Sequence, residues 1–356
     1  MSKGGHTKMA VRRGALLSTV AVLFLGITLL LAGAWQQASA QTARVAVVFA
    51  TGGLGDQSFN DSAYDGIQRA ARELGIEFDY AEPTAIAEYE RLLTLFAQSR
   101  RYDLIISIGF DQADAVAAVA DRFPNQKFAI VDTVVEKPNV AAYVYREAER
   151  GFLVGAIAGL MTKRQGDPKI NPDNHVVGIV AGMDIPLINA NIAGFMAGAR
   201  LMNPDADVRY SYVGHWADPA RGKELALALI AQGADIIWGA AGLSGLGAIQ
   251  AAQESNRYAI GADSDQGHLA PGHILTNGMK LVNNTVFLAV ESVVNGTFQP
   301  GVHVLGVKEN VLGYSPSLVP DDVRAVVDAL AQRIASGELM PPENIPDVEA
   351  WLAANR

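Results

Sequence analysis

Four stretches of the chain gather aromatic, acidic, basic and glycine residues in a pattern suited to noncovalent capture of a flat, hydroxyl-bearing molecule. The first is Gly52-Gly53-Leu54-Gly55-Asp56-Gln57-Ser58-Phe59-Asn60-Asp61. Its glycines let the backbone approach a ligand, and Phe59, an apolar residue in a polar loop, can stack on a planar ring. The second, His215-Trp216-Ala217-Asp218, supplies an aromatic from the other half of the chain. Two rings facing one cleft would sandwich a heteroaromatic base. The third runs from Gly239 through Gly242 to Gly247 and offers bare amides to a ligand acceptor. Its GxxGxG spacing is not the GxGxxG of dinucleotide-binding loops. The fourth is Gly261-Ala262-Asp263-Ser264-Asp265-Gln266, with Lys280 further on. An acid and an amine of this kind accept from and donate to adjacent sugar hydroxyls. Asp111 and Asp132 stand just after two further apolar runs.

Each of these residues also has an ordinary structural reading. Phe59 would staple the following helix to a sheet, Trp216 would be core, Asp263 a turn aspartate and Lys280 a solvated helix start. Signals for catalysis are thin. The chain has no GxSxG elbow, HExxH or Walker A motif, and its six histidines lack metal-ligand spacing. With no cysteine, thiolate nucleophiles, disulfides and Cys-ligated metals are excluded. Asp263 and Asp265 alone do not make a glycosidase. No cofactor and no metal are expected.

The elements that must position these residues follow from hydrophobic periodicity. Short β-branched runs alternate with segments of helical period, the pattern of parallel strands joined by crossover helices. Strands are expected at Arg44 to Phe49, Ile76 to Tyr80, Leu104 to Ile108, Phe128 to Val131 and Val140 to Tyr145. After a helix from Ala148 to Met161 and a polar insert from Arg164 to Asp173, a second series begins. Its strands are His175 to Val180, Val208 to Val213, Ile236 to Trp238 and Tyr258 to Ile260. Nine or more strands would strain one open sheet, so two lobes are expected. The candidate residues sit just after strands, where open α/β sheets bind their ligands.

Composition agrees with an α/β protein: half of the residues are apolar, 7% are aromatic, and 35 are glycine. The first forty residues carry Lys3, Lys8, Arg12 and Arg13, then an apolar run from Gly14 to Ala34 and the small-residue site Ala38-Ser39-Ala40. This reads as an export signal, with a retained membrane anchor as the competing reading. The remaining chain holds 24 basic against 37 acidic residues, which disfavours nucleic acid as a partner. Leu31-Ala32-Gly33-Ala34 looks like a lipoprotein cleavage box with alanine in place of the acylated cysteine. The expected location is therefore extracytoplasmic, periplasmic in a host with an outer membrane, and not as a lipoprotein.

From about Arg44 to Val319 the chain resembles the basic membrane protein family of ABC transporter substrate-binding proteins, which includes purine nucleoside receptors. The resemblance rests on the Gly52-Gly53 loop with Asp56 to Asn60, on Gly109-Phe110 with Ala113-Asp114-Ala115, and on Glu147 with Gly151-Phe152-Leu153-Val154-Gly155. It also rests on Asp218-Pro219-Ala220-Arg221-Gly222-Lys223, Gly261 to Gln266 and Lys280. It implies a type I periplasmic-binding-protein fold, two doubly wound α/β lobes joined by three crossover segments. The lobes expected on that basis are 41–146 with about 264–290, and 147–263 with about 291–319, with 320–356 as a helical tail packed on the outside. Phe59 then resembles a stacking ring with Ser58 and Asn60 as polar neighbours, and Trp216 stands where the family usually has Phe. Asp263 and Lys280 fall at ribose-binding positions, Gly239 and Gly242 at the cleft wall, and Asp132 and Asp111 are further polar contacts. The implied partners are a nucleoside or similar ring compound and an ABC permease, with the protein a monomer. A membrane-tethered sensor and a nucleoside hydrolase are the rival functions. Ala50-Thr51 departs from the family, which often has an acid there.

Overall fold

The computed structural model describes residues 42–356. The export-signal reading of residues 1–40 falls outside them, and no described helix is long and apolar enough to cross a membrane.

The alternating pattern produces two six-stranded sheets. In chain order the strands are β1 (Arg44–Val48), β2 (Glu77–Ala81), β3 (Leu104–Ile108), β4 (Phe128–Val131), β5 (Val140–Tyr145) and β6 (Val176–Ala181), then β7 (Asp207–Tyr212), β8 (Ile236–Ala240), β9 (Tyr258–Asp263), β10 (Ile274–Lys280), β11 (Gly301–Leu305) and β12 (Leu312–Tyr314). The principal helices are α1 (Phe59–Leu74), α2 (Tyr89–Ser99), α3 (Ala113–Arg122), α4 (Glu147–Met161) and α5 (Pro186–Met202), followed by α6 (Pro219–Ala231), α7 (Leu243–Glu254), α8 (Val282–Val294), α9 (Asp321–Ala335) and α10 (Val348–Asn355).

The first sheet has the order β11-β5-β4-β3-β1-β2 and the second β12-β10-β9-β8-β6-β7. The paired strands are parallel except β12, which runs antiparallel to β10. Central strands are buried on both faces, β3 and β6 over their whole length, as parallel sheets covered by helices require. In each sheet the order reverses beside the first strand of its series, between β1 and β3 and between β6 and β8. Loops diverge at such switch points and open a crevice.

Strand pairing corrects the expected lobe boundaries. β10 pairs with β9, so residues 274–280 belong to the second sheet rather than the first. β11 pairs with β5, so residues 301–305 belong to the first sheet rather than the second. The chain therefore crosses between lobes near Arg146, near Leu281 and near Gly306. Local periodicity marks a strand without naming its neighbour, which is why this exchange was illegible. The tail is also more than an outer appendage. Val327, Leu330 and Leu352 join the main core of the second lobe, and Trp351 meets Phe152 edge to face at 5.6 Å.

The helix opening the second lobe is held unusually close to its neighbour. Gly151, Gly155 and Gly159 recur every fourth residue along one face of α4. A Cβ at these positions would lie 2.2–2.3 Å from the carbonyl oxygens of Asn191, Phe195 and Ala199 on α5. Gly194 and Gly198 of α5 make the reciprocal approach to α4. Backbone meets backbone, and α4 is buried on every side apart from the half-buried Leu160.

Candidate functional site

The loop after β1 is shaped by Asp56, which is 3% exposed. Its carboxylate accepts the backbone N–H groups of Ser58, Asn60 and Asp61 at 2.9, 2.9 and 3.1 Å. Satisfying these otherwise orphaned amides starts α1 at Phe59. Burial pushes the Asp56 carboxyl up to about 6 against those three hydrogen bonds. Phe59 and Asn60 consequently sit on the first turn of a helix and face the crevice.

After β3, Gly109 adopts φ +116° beside Ala50, and buried Gln112 ties the turn down by donating to the carbonyls of Val48 and Ile108 at 3.0 and 2.8 Å. This presents Phe110 and Asp111. The Tyr89 hydroxyl donates to Asp111 Oδ2 at 2.9 Å and accepts from the Thr51 N–H at 2.9 Å. Burial raises the Asp111 pKa, opposed by the Tyr89 hydrogen bond. From the second lobe, Trp216 meets Phe110 edge to face at 6.5 Å. The indole lies against the end of β6 because residue 182 is glycine, where a Cβ would fall 2.1 Å from the ring.

A buried charge cluster occupies the junction of the lobes. Lys280 Nζ lies 2.6 Å from both Asp132 Oδ1 and Glu147 Oε1. Arg150 Nε lies 3.0 Å from Glu147 Oε2 and donates to Asn191 Oδ1 at 2.8 Å, while Nη1 pairs with Asp263. The remaining Asp263 oxygen accepts from the Ser58 hydroxyl of the opposite lobe. Asp132 and Asp263 both hold left-handed backbone, at φ +78° and +65°, a conformation uncommon for residues other than glycine and one that gathers at binding sites.

The electrostatics of the cluster follow from burial against pairing. Desolvation pushes Asp132 up to about 6 despite Lys280 beside it. Glu147 pays the same desolvation cost, but Arg150 and Lys280 together overcome it and hold the carboxyl below its usual range. Burial disfavours the Lys280 cation, yet Asp132 and Glu147 outweigh it and raise its pKa.

One cavity, about 690 Å³ with its solvent-open mouth included, lies between these elements. The structure places Phe59, Asn60, Asp111, Asp132, Trp216, Gly242, Asp263 and Lys280 on its walls. Two expected site residues are not among them. Ser58 is 1% exposed and sits behind Asp263 rather than facing the cavity. Gly239 lies inside β8 beneath α7, where a Cβ would come 2.9 Å from the Gly245 carbonyl. Its glycine serves helix-on-sheet packing. The sequence reading missed Phe110, Arg150 and Glu147. The available signal was Glu147-Ala148-Glu149-Arg150, a charged turn opening a helix with no solvated face.

The arrangement is that of a binding cleft: three aromatic side chains, an amide and several fixed charges around one hollow. Comparison with known families matches residues 43–344 to the ABC transporter substrate-binding protein PnrA-like family. The chain is 36% identical over 294 residues to an uncharacterized lipoprotein of Pyrococcus abyssi, covering 79% of this chain and 71% of that protein. It is 31% identical over 311 residues to basic membrane protein A of Borreliella afzelii, covering 85% and 92%. An ABC transporter solute-binding protein of Aeropyrum pernix superposes with a TM-score of 0.78 at 31% identity, covering 88% and 99%. The fold is the type I periplasmic-binding-protein fold. One expectation is overturned: similar proteins of three Pyrococcus species are named lipoproteins, so the missing cysteine does not carry the conclusion that the protein is not a lipoprotein. With the fold, the cleft and the match over residues 43–344 in agreement, the chain belongs to the PnrA-like family of ABC transporter substrate-binding proteins.

Proposed function

We propose that the protein captures a nucleoside, with a purine base favoured, between its two lobes and presents the closed complex to a membrane permease without covalent chemistry. The observation that carries this reading is the composition of the interlobe cavity. Phe59, Phe110 and Trp216 offer aromatic surface, while Asp132, Lys280 and their buried partners offer fixed donors and acceptors. A nucleoside has both complements, a flat ring and vicinal hydroxyls. Asn60 adds a donor for the ring: its Oδ1 accepts from the Ala50 N–H at 3.0 Å, so Nδ2 is left for a ligand acceptor.

Closure follows from where the residues come from. Asp132 and Ser58 belong to the first lobe, Lys280 and Asp263 to the second, and the Gln266 amide donates to the Gln57 carbonyl across the same gap at 3.0 Å. A ligand touching both lobes favours the closed state because those contacts exist only there. The test is a thermal-shift screen of the purified protein against nucleosides, free bases, sugars and flavins, followed by calorimetry. Stability should rise with concentration as RT ln(1 + [L]/Kd) for nucleosides. A response to sugars or flavins with none to nucleosides would overturn the reading.

A further inference from the structure

We propose that Arg150 contacts the ligand directly and selects for a hydroxyl on it, and that Asp263 acts through Arg150 as a positioning residue. This rests on the nucleoside reading. Arg150 is 3% exposed and lines the cavity. Its Nε is held by Glu147 and Asn191, and its Nη1 by Asp263. Nη2 has no partner among the described residues. A planar guanidinium fixed on two of its three nitrogens cannot swing, so the third is a preorganised donor.

The clamp is built from rigid parts. Asn191 accepts from Arg150 and donates to Glu147 Oε2 at 3.0 Å and to the Leu187 carbonyl at 2.9 Å. It thereby fixes Glu147 and Arg150 of the first α4 turn from α5. Asp263 has one oxygen on Arg150 and the other on Ser58. Its carboxylate is thus engaged with the protein, whereas Asp132 keeps Oδ2 without a protein partner among the described residues. The hydroxyl-reading set is then Arg150 Nη2 and Lys280 Nζ as donors and Asp132 Oδ2 as acceptor.

The experiment is calorimetric binding of adenosine and inosine, each against its 2′-deoxy and 3′-deoxy counterpart, to the full chain and three variants. The wild type should prefer the ribonucleoside at least about tenfold over one deoxy counterpart. Arg150→Lys keeps a cation for Glu147 and Asp263 but removes Nη2, and should bring that ratio within about threefold. Asp263→Asn should lower the ratio in the same sense, and the double variant should match Arg150→Lys alone, because coupled residues are not additive. An unchanged ratio in Arg150→Lys overturns the contact. An Asp263→Asn effect that multiplies with that of Arg150→Lys overturns the positioning role and makes Asp263 the contact. Should Arg150→Lys fail to fold, Asp263→Asn, which leaves Arg150 paired with Glu147, reads the same ratio: unchanged, it overturns the proposal. A wild type that binds nucleosides without regard to either hydroxyl removes this inference alone, whereas one that binds no nucleoside removes the functional reading with it.

Discussion

Lys280 closes β10 of one lobe, and its ammonium sits 2.6 Å from the carboxylate of Asp132 on the other, with both side chains under one-tenth exposed. The same nitrogen lies over the rings of Tyr145 and Phe59 at 4.5 and 5.1 Å, so a single cation touches both lobes, the charge cluster and an aromatic wall of the cavity.

Removing that cation should therefore be costly. Lys280→Met leaves Asp132 and Glu147 buried without their shared partner, and breaking a buried pair costs about 3–5 kcal/mol. Urea denaturation of the full chain should show a loss of that size, accompanied by loss of ligand binding. A loss below about 1 kcal/mol would mean the pair is solvated rather than buried.

The pH response of Asp132 has a definite sign. Its folded pKa is raised from 3.8 to about 6, so between those values the folded state binds more protons than the unfolded chain. Stability from this group falls as pH rises through that window. The difference in unfolding free energy between wild type and Asp132→Asn should thus shift in favour of wild type as pH drops from 7 to 4. Ligand affinity should move the opposite way, since a protonated Asp132 loses acceptor capacity. Chemical denaturation and calorimetry across that range check both signs.

The aromatic walls make a separate prediction. Phe59→Ala or Trp216→Ala should weaken nucleoside binding at least tenfold, about 1.4 kcal/mol, in the range of one stacked pair. Unfolding temperatures should change less than affinity, because both rings are only half-buried. Equal affinity in both variants would remove stacking from the account.

A fourth prediction concerns a position far from the ligand. Gly155→Ala improves helix propensity by about 1 kcal/mol, yet its methyl would sit 2.2 Å from the Phe195 carbonyl. Overpacking of this kind costs about 1–3 kcal/mol, so the variant should melt lower. A higher melting temperature would show that α4 and α5 part easily.

Much of this architecture is legible in the residues. β3, β4 and β5 begin and end as the β-branched runs Leu104–Ile108, Phe128–Val131 and Val140–Tyr145 do, and the midpoint insert separates two series of strands. What periodicity cannot carry is partnership. β11 reads as an unremarkable apolar alternation, and only its pairing with β5 assigns it to the first lobe. The site divides the same way. Phe59 and Trp216 stood out because an aromatic in a polar loop is anomalous on its own. Arg150 became significant only through Asp263, 113 residues away. Gly239 misled because a glycine in a strand and one after it look alike until the covering helix is in place.

The glycine seam between α4 and α5 bears on how selectivity can change in this protein. With carbonyls filling the space where side chains would interlock, neither helix can roll or slide without collision, and Glu147, Arg150 and Asn191 are carried on that immobile pair. New ligand preferences must then arise by exchange of side chains at the rim of the hollow, such as Trp216, Phe110 or Asp111, because the floor beneath them has no slack to redistribute.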